Sequence, residues 1–268
     1  MTDAYKKSSA SAENIKSKFA NKDLQIEVFS FEETDSTNTR AKLFAKSEAA
    51  DGGPKLFIAR RQSGGRGRLG RSFASDMGTG LYMSVLFYPK RDFDIMKITP
   101  FAAVAAVRAL EPLLGTKIGI KWVNDLWLSE KKLAGILTEC AFSEDGSLSY
   151  AVMGIGINLY RTAFPPELAD IATDIESELG IHLERDALAA KVTENFLDLI
   201  EKGDTGAVLS EYRERSVLIG SAVDIFLGDE KFRAEVLRIE DDFGLTVMLD
   251  NGETRTLSSG EVSVRKIK

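Results

Sequence analysis

Past Gly220 the sequence changes texture, and that change constrains the fold more than any other feature. Five short runs, 222–227, 232–239, 245–249, 253–257 and 261–267, alternate apolar with polar residues and are broken by Gly228-Asp229, Asp241-Asp242 and Asn251-Gly252. Period-two alternation marks a half-buried strand, because successive side chains point to opposite faces of a sheet. An Asn-Gly pair between two such runs signals a tight hairpin, whose central residues need positive φ. Residues 220–268 are therefore predicted to form a small, self-contained β-barrel. Upstream, the periods mix. Runs at 24–31, 56–60, 80–88, 119–122, 133–142 and 150–158 have strand patterns, whereas 39–47, 99–114, 185–202 and 207–216 have helical ones. The prediction is an α+β fold: a polar amino-terminal segment (1–23), a main domain (24–219) and the barrel (220–268).

A chain of 268 residues is long enough for one such large domain plus a small one. Its 35 Lys and Arg against 41 Asp and Glu leave a formal charge of -6, which disfavours a general grip on nucleic acid or an anionic bilayer. Cys140 is the only cysteine and His182 the only histidine. That rules out an internal disulfide and the usual nitrogen-and-sulfur metal sites, and a reducing cytosol fits best. Cys140 reads as a small buried hydrophobe and His182 as a surface loop residue. No apolar run approaches the roughly 18 residues of a membrane span, and residues 1–23 lack a signal-peptide core. The first twenty or so residues read as a frayed helix or a disordered tail.

Against this acidic background the stretch 64–71, Gly-Gly-Arg-Gly-Arg-Leu-Gly-Arg, concentrates positive charge where the backbone is most pliable. Glycine lets the main chain approach a ligand closely, and guanidinium groups offer charged forks to phosphate or carboxylate. A nucleotide or charged acyl intermediate suits it; a solvated basic loop is the plainer alternative. Three other clusters combine small polar residues or glycine with charge: Asp35-Ser36-Thr37-Asn38, Lys121-Trp122-Val123-Asn124-Asp125 and Lys131-Lys132-Leu133-Ala134-Gly135. Taken singly, the first could be a helix cap and the last a hairpin rim. Trp122 and Trp127 read as packing residues. The run 154–158, Gly-Ile-Gly-Ile-Asn, closes a strand with paired glycines, which suggests something lying against the backbone.

In order and spacing these segments resemble the biotin–protein ligases: Glu-Thr-Asp-Ser-Thr-Asn, a glutamine before Gly-Arg-Gly-Arg-x-Gly-Arg, Lys-Trp-Pro-Asn-Asp, Lys-Leu-Ala-Gly-Ile-Leu and Gly-x-Gly-x-Asn. The resemblance is close over residues 25–160; Val123 stands where the family usually has proline, and Phe73 where tryptophan is common. It implies a mixed-sheet catalytic domain of the biotin/lipoate ligase type, related to class II aminoacyl-tRNA synthetases, with an SH3-like carboxy-terminal barrel. It also implies ATP-dependent formation of biotinyl-adenylate and transfer to a lysine of a biotin carboxyl carrier domain. Carried over by motif, Ser36, Thr37, Asn38, Gln62, Gly65, Arg66, Arg68, Lys132 and Gly135 would bind biotin. Arg68, Arg71, Phe73, Lys121, Asn124, Asp125, Lys132 and Asn158 would hold the nucleotide, with Asp125 near Mg2+. Lys132, Arg68 and Lys121 would serve the chemistry. The resemblance is to a monofunctional, cytoplasmic form that binds neither DNA nor membrane and can pair as a homodimer. The alternative is a lipoate–protein ligase or an octanoyl or lipoyl transferase.

Overall fold

Seven strands share one mixed sheet: β1 (Glu27–Thr34), β2 (Lys55–Gln62), β3 (Gly80–Phe87), β4 (Gly119–Lys121), β5 (Asp125–Leu128), β6 (Lys131–Phe142) and β7 (Leu148–Asn158). The computed structural model describes residues 9–47, 52–75, 78–90, 92–227, 230–258 and 262–266. Across the sheet the order is β1-β2-β3-β7-β6-β5-β4. Only β1 and β2 run parallel. A parallel pair needs a crossover, and α2 (Thr37–Ala45) supplies it.

Alternation along the central strands sends side chains into two separate cores. Val28, Leu56, Ile58, Leu81 and Met83 face one side, where α1 (Ser9–Lys18), α3 (Ile98–Leu114), α5 (Arg185–Lys202) and α6 (Thr205–Glu214) pack. Phe29, Phe31, Phe57, Ala59 and Leu86 face the other, against Ala41 and Phe44 of α2. Burial on both faces explains why β3 reads as a nearly unbroken apolar run.

Three local expectations change. The amino-terminal segment is not frayed over residues 9–18: α1 buries Ala12, Ile15 and, just beyond its end, Phe19. Asn14 Nδ2 also donates to Asp186 Oδ2 at 2.8 Å. Three apolar residues at helical spacing in a polar stretch make a weak signal, and the partner surface supplies the stability. Asp125, which the sequence patterns leave between the runs 119–122 and 133–142, opens the four-residue strand β5 and pairs with Gly135. A further helix, α4 (Ile175–Leu179), starts at Asp174, whose side chain accepts from Ser177 N at 2.7 Å.

Beyond Gly220, β8 (Ala222–Leu227), β9 (Glu230–Ile239), β10 (Leu245–Leu249), β11 (Thr254–Leu257) and β12 (Val262–Lys266) form an antiparallel sheet in the order β11-β10-β9-β8-β12. The Asn251-Gly252 hairpin forms as read, with Gly252 at φ 82° and Leu249 N donating to Glu253 O at 2.8 Å. The Gly228-Asp229 turn lies outside the described residues. The described pairings leave β11 and β12 as the two edges of this sheet. Its inner residues, Val223, Ile225, Val236 and Leu245 among them, join the same core as α3 and α6. Phe243 lies edge-on to both Phe101 and Tyr212, and its carbonyl accepts the Trp122 indole N–H at 2.8 Å.

Candidate active site

The cleft lies on the α2 face of the main sheet, and its floor is set by two rows across neighbouring strands. Gly135, Gly156 and Tyr82 make one row; Leu137, Gly154 and Ser84 make the next. Phe73 rests on the first row. A Cβ on Gly156 would stand 2.5 Å from its ring and one on Gly135 3.3 Å, so both glycines are hollows that the ring fills. Asn38 rests on the second, where a Cβ on Gly154 would meet its Oδ1 at 2.0 Å.

One wall is neutral, and Thr37, Asn38 and Gln62 in it are hydrogen-bonded. Ser36, Thr37, Asn38 and Gln62 are all buried. Ser36 occupies the N-cap position of α2 but makes no side-chain cap bond there. Gln62 Oε1 accepts from Thr37 N at 2.7 Å and from Thr37 Oγ1 at 3.1 Å, while its Nε2 donates to Ser75 Oγ at 3.2 Å. Ser84, on β3, donates to Thr37 Oγ1 at 2.7 Å and to Asn38 Oδ1 at 2.6 Å.

The loop after β2 doubles back on itself. Gly67 N donates to Arg71 O at 2.7 Å, Phe73 N to Gly65 O at 3.0 Å and Gln62 N to Ser75 O at 2.9 Å. Leu69 and Gly70 turn the tip at φ 55° and 72°. A Cβ on Gly65 would lie 2.1 Å from Ser75 Oγ and 2.5 Å from the Phe73 carbonyl oxygen, so only glycine lets the two limbs close. Close approach at Gly65 is thus chain against chain.

Opposite stands the charged wall. Arg68 Nη1 donates to Asn124 Oδ1 at 3.2 Å, and Asn124 is itself clamped to Ile136 by Nδ2 to O at 3.0 Å and by Ile136 N to its own carbonyl at 2.8 Å. Burial pulls the Arg68 guanidinium below its ordinary pKa, with neighbouring Asp125 acting in the opposite direction. Lys132 Nζ is 2.7 Å from Asp125 Oδ1, and Lys121 Nζ sits 5.1 Å over the Trp127 ring. The turn between β4 and β5 carries a cis Trp122–Val123 peptide, and Tyr212 OH, fully buried, donates to Val123 O at 3.0 Å. Arg66 Nη1 lies 3.7 Å from Glu139 Oε1.

Ser36, Thr37, Asn38, Gln62, Arg66, Arg68, Arg71, Phe73, Lys121, Asn124, Asp125, Lys132 and Gly135 therefore line one cleft. Two residues expected there stand elsewhere: Gly65 is inside the loop closure, and Asn158 Nδ2 is committed to Thr173 O at 2.9 Å. Val264 of the carboxy-terminal sheet also lines the cleft, a contribution no motif signals. Ser84 had a visible signal, as a serine interrupting the apolar run of β3. Among the described residues no three or more His, Cys, Asp or Glu gather as a metal site. Among the described lining residues Asp125 is the only carboxylate, and it is already ion-paired.

The sequence model of the Biotin/lipoate A/B protein ligase family matches residues 30–158. The Biotin--[acetyl-CoA-carboxylase] ligase of Mycobacterium tuberculosis is 30% identical over 241 residues, covering 86% of this chain and 86% of that protein. The Bifunctional ligase/repressor BirA of Bacillus subtilis is 38% identical over 172 residues, covering 62% of this chain and 50% of that protein. The chain thus spans about half the length of that relative. Among solved structures, the biotin protein ligase from Aquifex aeolicus in complex with biotin and ATP matches with a TM-score of 0.74 at 27% identity, over 90% of this chain and 99% of that one.

Proposed function

Since the chain belongs to the Biotin/lipoate A/B protein ligase family, we propose that it activates biotin with ATP to biotinyl-5'-adenylate and transfers the biotinyl group to a lysine of a biotin carboxyl carrier domain. One observation carries this reading: neutral Ser36, Thr37 and Gln62 line the same cleft as Arg66, Arg68, Arg71, Lys121 and Lys132. A cyclic urea needs neutral donors and acceptors at one end of such a site. Its carboxylate and the triphosphate need cations at the other.

In the first step a carboxylate oxygen attacks the α-phosphorus and pyrophosphate leaves with the electron pair of the broken P–O bond. Arg68 and Lys132 neutralise charge on the pentavalent phosphorus, while Arg66 and Arg71 draw the anions together. No enzyme nucleophile takes part. In the second step a neutral lysine amine of the acceptor attacks the acyl carbon and AMP departs, with Lys121 stabilising the leaving phosphate. Phe73 is assigned to pack against the adenine, and Asn124 holds Arg68 in register. Mg2+ would arrive on the triphosphate, the usual mode for this ion, since one ion-paired Asp125 does not make a resident site.

Biotin is preferred to a lipoyl group, which has no ureido head for Thr37 and Gln62 to engage. A cysteine-based acyl transfer is also disfavoured, because burial pushes the Cys140 thiol up to about 11, away from the thiolate. Among the described residues no helix is long and apolar enough to cross a membrane.

Mass spectrometry after incubation with Mg-ATP and either biotin or lipoate tests the proposal. Biotinyl-adenylate is expected with biotin and no adenylate with lipoate. Equal yields from both acids, or none from biotin, would overturn it.

A further inference from the structure

We propose that Ser84, in the floor row that Asn38 covers, and Glu139 are positioning residues that fix the hydrogen-bond polarity of the Thr37–Gln62 wall. The inference rests on the biotin reading above and adds to it how the head-group end is set to prefer a ring N–H.

The chain of constraints begins at Glu139 on β6. Lys42 Nζ lies 2.6 Å and Asn38 Nδ2 2.9 Å from its oxygens, with Arg66 at 3.7 Å. Burial alone would raise its pKa, but these partners together hold the carboxyl below the ordinary glutamate value. An ionised carboxylate only accepts hydrogen bonds. Asn38 must therefore turn its NH2 toward it, and the same NH2 donates to Leu137 O at 3.2 Å. Flipping the amide would set its oxygen against two acceptors. With that orientation fixed, Oδ1 points at Ser84.

Ser84 is fully buried. Its single proton lies between Asn38 Oδ1 at 2.6 Å and Thr37 Oγ1 at 2.7 Å. Thr37 in turn gives its proton to Gln62 Oε1, which also holds the Thr37 N–H, and Gln62 Nε2 passes the direction on to Ser75. Asn38, held by Glu139, thus presents only an acceptor to Ser84, and on the other side the donors run in one direction, from Ser84 to Thr37, from Thr37 to Gln62 and from Gln62 to Ser75. What remains for a ligand is a lone pair on Thr37 Oγ1, which suits an incoming N–H, and the second Nε2 proton of Gln62, which suits a carbonyl. A cyclic urea carries both groups. Without Ser84, the Thr37 hydroxyl could rotate and offer either its proton or its lone pair.

The test uses the full chain, ATP–pyrophosphate exchange and two substrates: biotin, and biotin N-methylated on the ureido ring, as both regioisomers. Ser84→Ala is expected to raise the KM for biotin about tenfold, the scale of one lost buried hydrogen bond, with kcat and the KM for ATP within about twofold. The preference for biotin over its N-methyl analogues should shrink about tenfold, because a freed hydroxyl tolerates the missing donor. Glu139→Gln should act in the same direction, and the double variant should be no worse than the worse single variant, since both work through Asn38. If Ser84→Ala does not fold, Glu139→Gln alone decides the matter by the same two readouts. An unchanged KM for biotin, an unchanged discrimination ratio, or parallel loss of kcat and both KM values would overturn the proposal. A parent protein that forms no biotinyl-adenylate would remove the functional reading itself, a result distinct from an active parent with indifferent variants.

Discussion

Arg68 is a cation on the loop after β2 and has a fixed partner, the Asn124 side chain at 3.2 Å. Its guanidinium therefore stands ready beside the charged wall. If it bridges carboxylate and phosphate as proposed, Arg68→Gly removes a charge-assisted contact of about 1.5–3 kcal/mol. The adenylate should then escape on the order of ten- to a hundredfold faster and label lysines indiscriminately, while still being formed. Lys132→Ala should instead slow its formation, because that charge is needed as the phosphorus becomes pentavalent. Rapid filtration of labelled adenylate separates the two behaviours; an Arg68→Gly variant that retains its intermediate like the parent contradicts the role. At this scale the sequence was informative, since residue type and order already marked thirteen residues that line the cleft. It was uninformative for Asn158, whose glycine-flanked setting suggested a ligand but whose amide holds Thr173, fifteen residues on.

The element most exposed to a single change is the loop between β2 and β3. Its two limbs close through Gly65, with Ser75 Oγ and the Phe73 carbonyl in the space a side chain would take. Gly65→Ala must push the limbs apart, and backbone cannot yield as cheaply as a side-chain tip. Overpacking of this kind typically costs about 1–3 kcal/mol. The expected result is a fall in kcat/KM for adenylation of at least about tenfold with only a modest drop in Tm, since the strain is local to the loop; activity equal to the parent would show that the closed loop is dispensable. The glycine-rich composition pointed to a loop that approaches a ligand. That Gly65 serves the loop's own closure depends on where Ser75 returns, which composition does not encode. That α1 is a packed helix and not a frayed one went unread for a related reason. Ala12, Ile15 and Phe19 make a thin apolar stripe, and α5 and β1 supply the surface that makes it a helix.

For the molecule as a whole, the carboxy-terminal sheet behaves as part of the main body. Phe243 sits between Phe101 and Tyr212, receives the Trp122 indole, and so abuts the Lys121–Asp125 turn from behind. Calorimetry is expected to show one unfolding transition for the chain, with no separate transition for residues 220–268. Phe243→Ala should cost about 3–5 kcal/mol, by lost burial and the cavity left between the two units. Two well-resolved transitions in the parent, or a near-neutral Phe243→Ala, would contradict a shared core.

The sequence by itself determined most of the alphabet of this protein: which of the longer stretches are strands or helices, where the hairpin at Asn251-Gly252 turns, and which clusters carry charge or small polar groups. These follow from local periodicity and local backbone preference, which act over a few residues. The tertiary structure alone decided which pieces meet. Register between β3, β7 and β6 sets Ser84, Gly154 and Leu137 in one row, and α2 lays Asn38 across it. The bonds that result join residues 46, 47 and 101 positions apart. Such contacts are fixed by strand pairing and by the burial of two apolar faces at once, and no window of local sequence contains both partners.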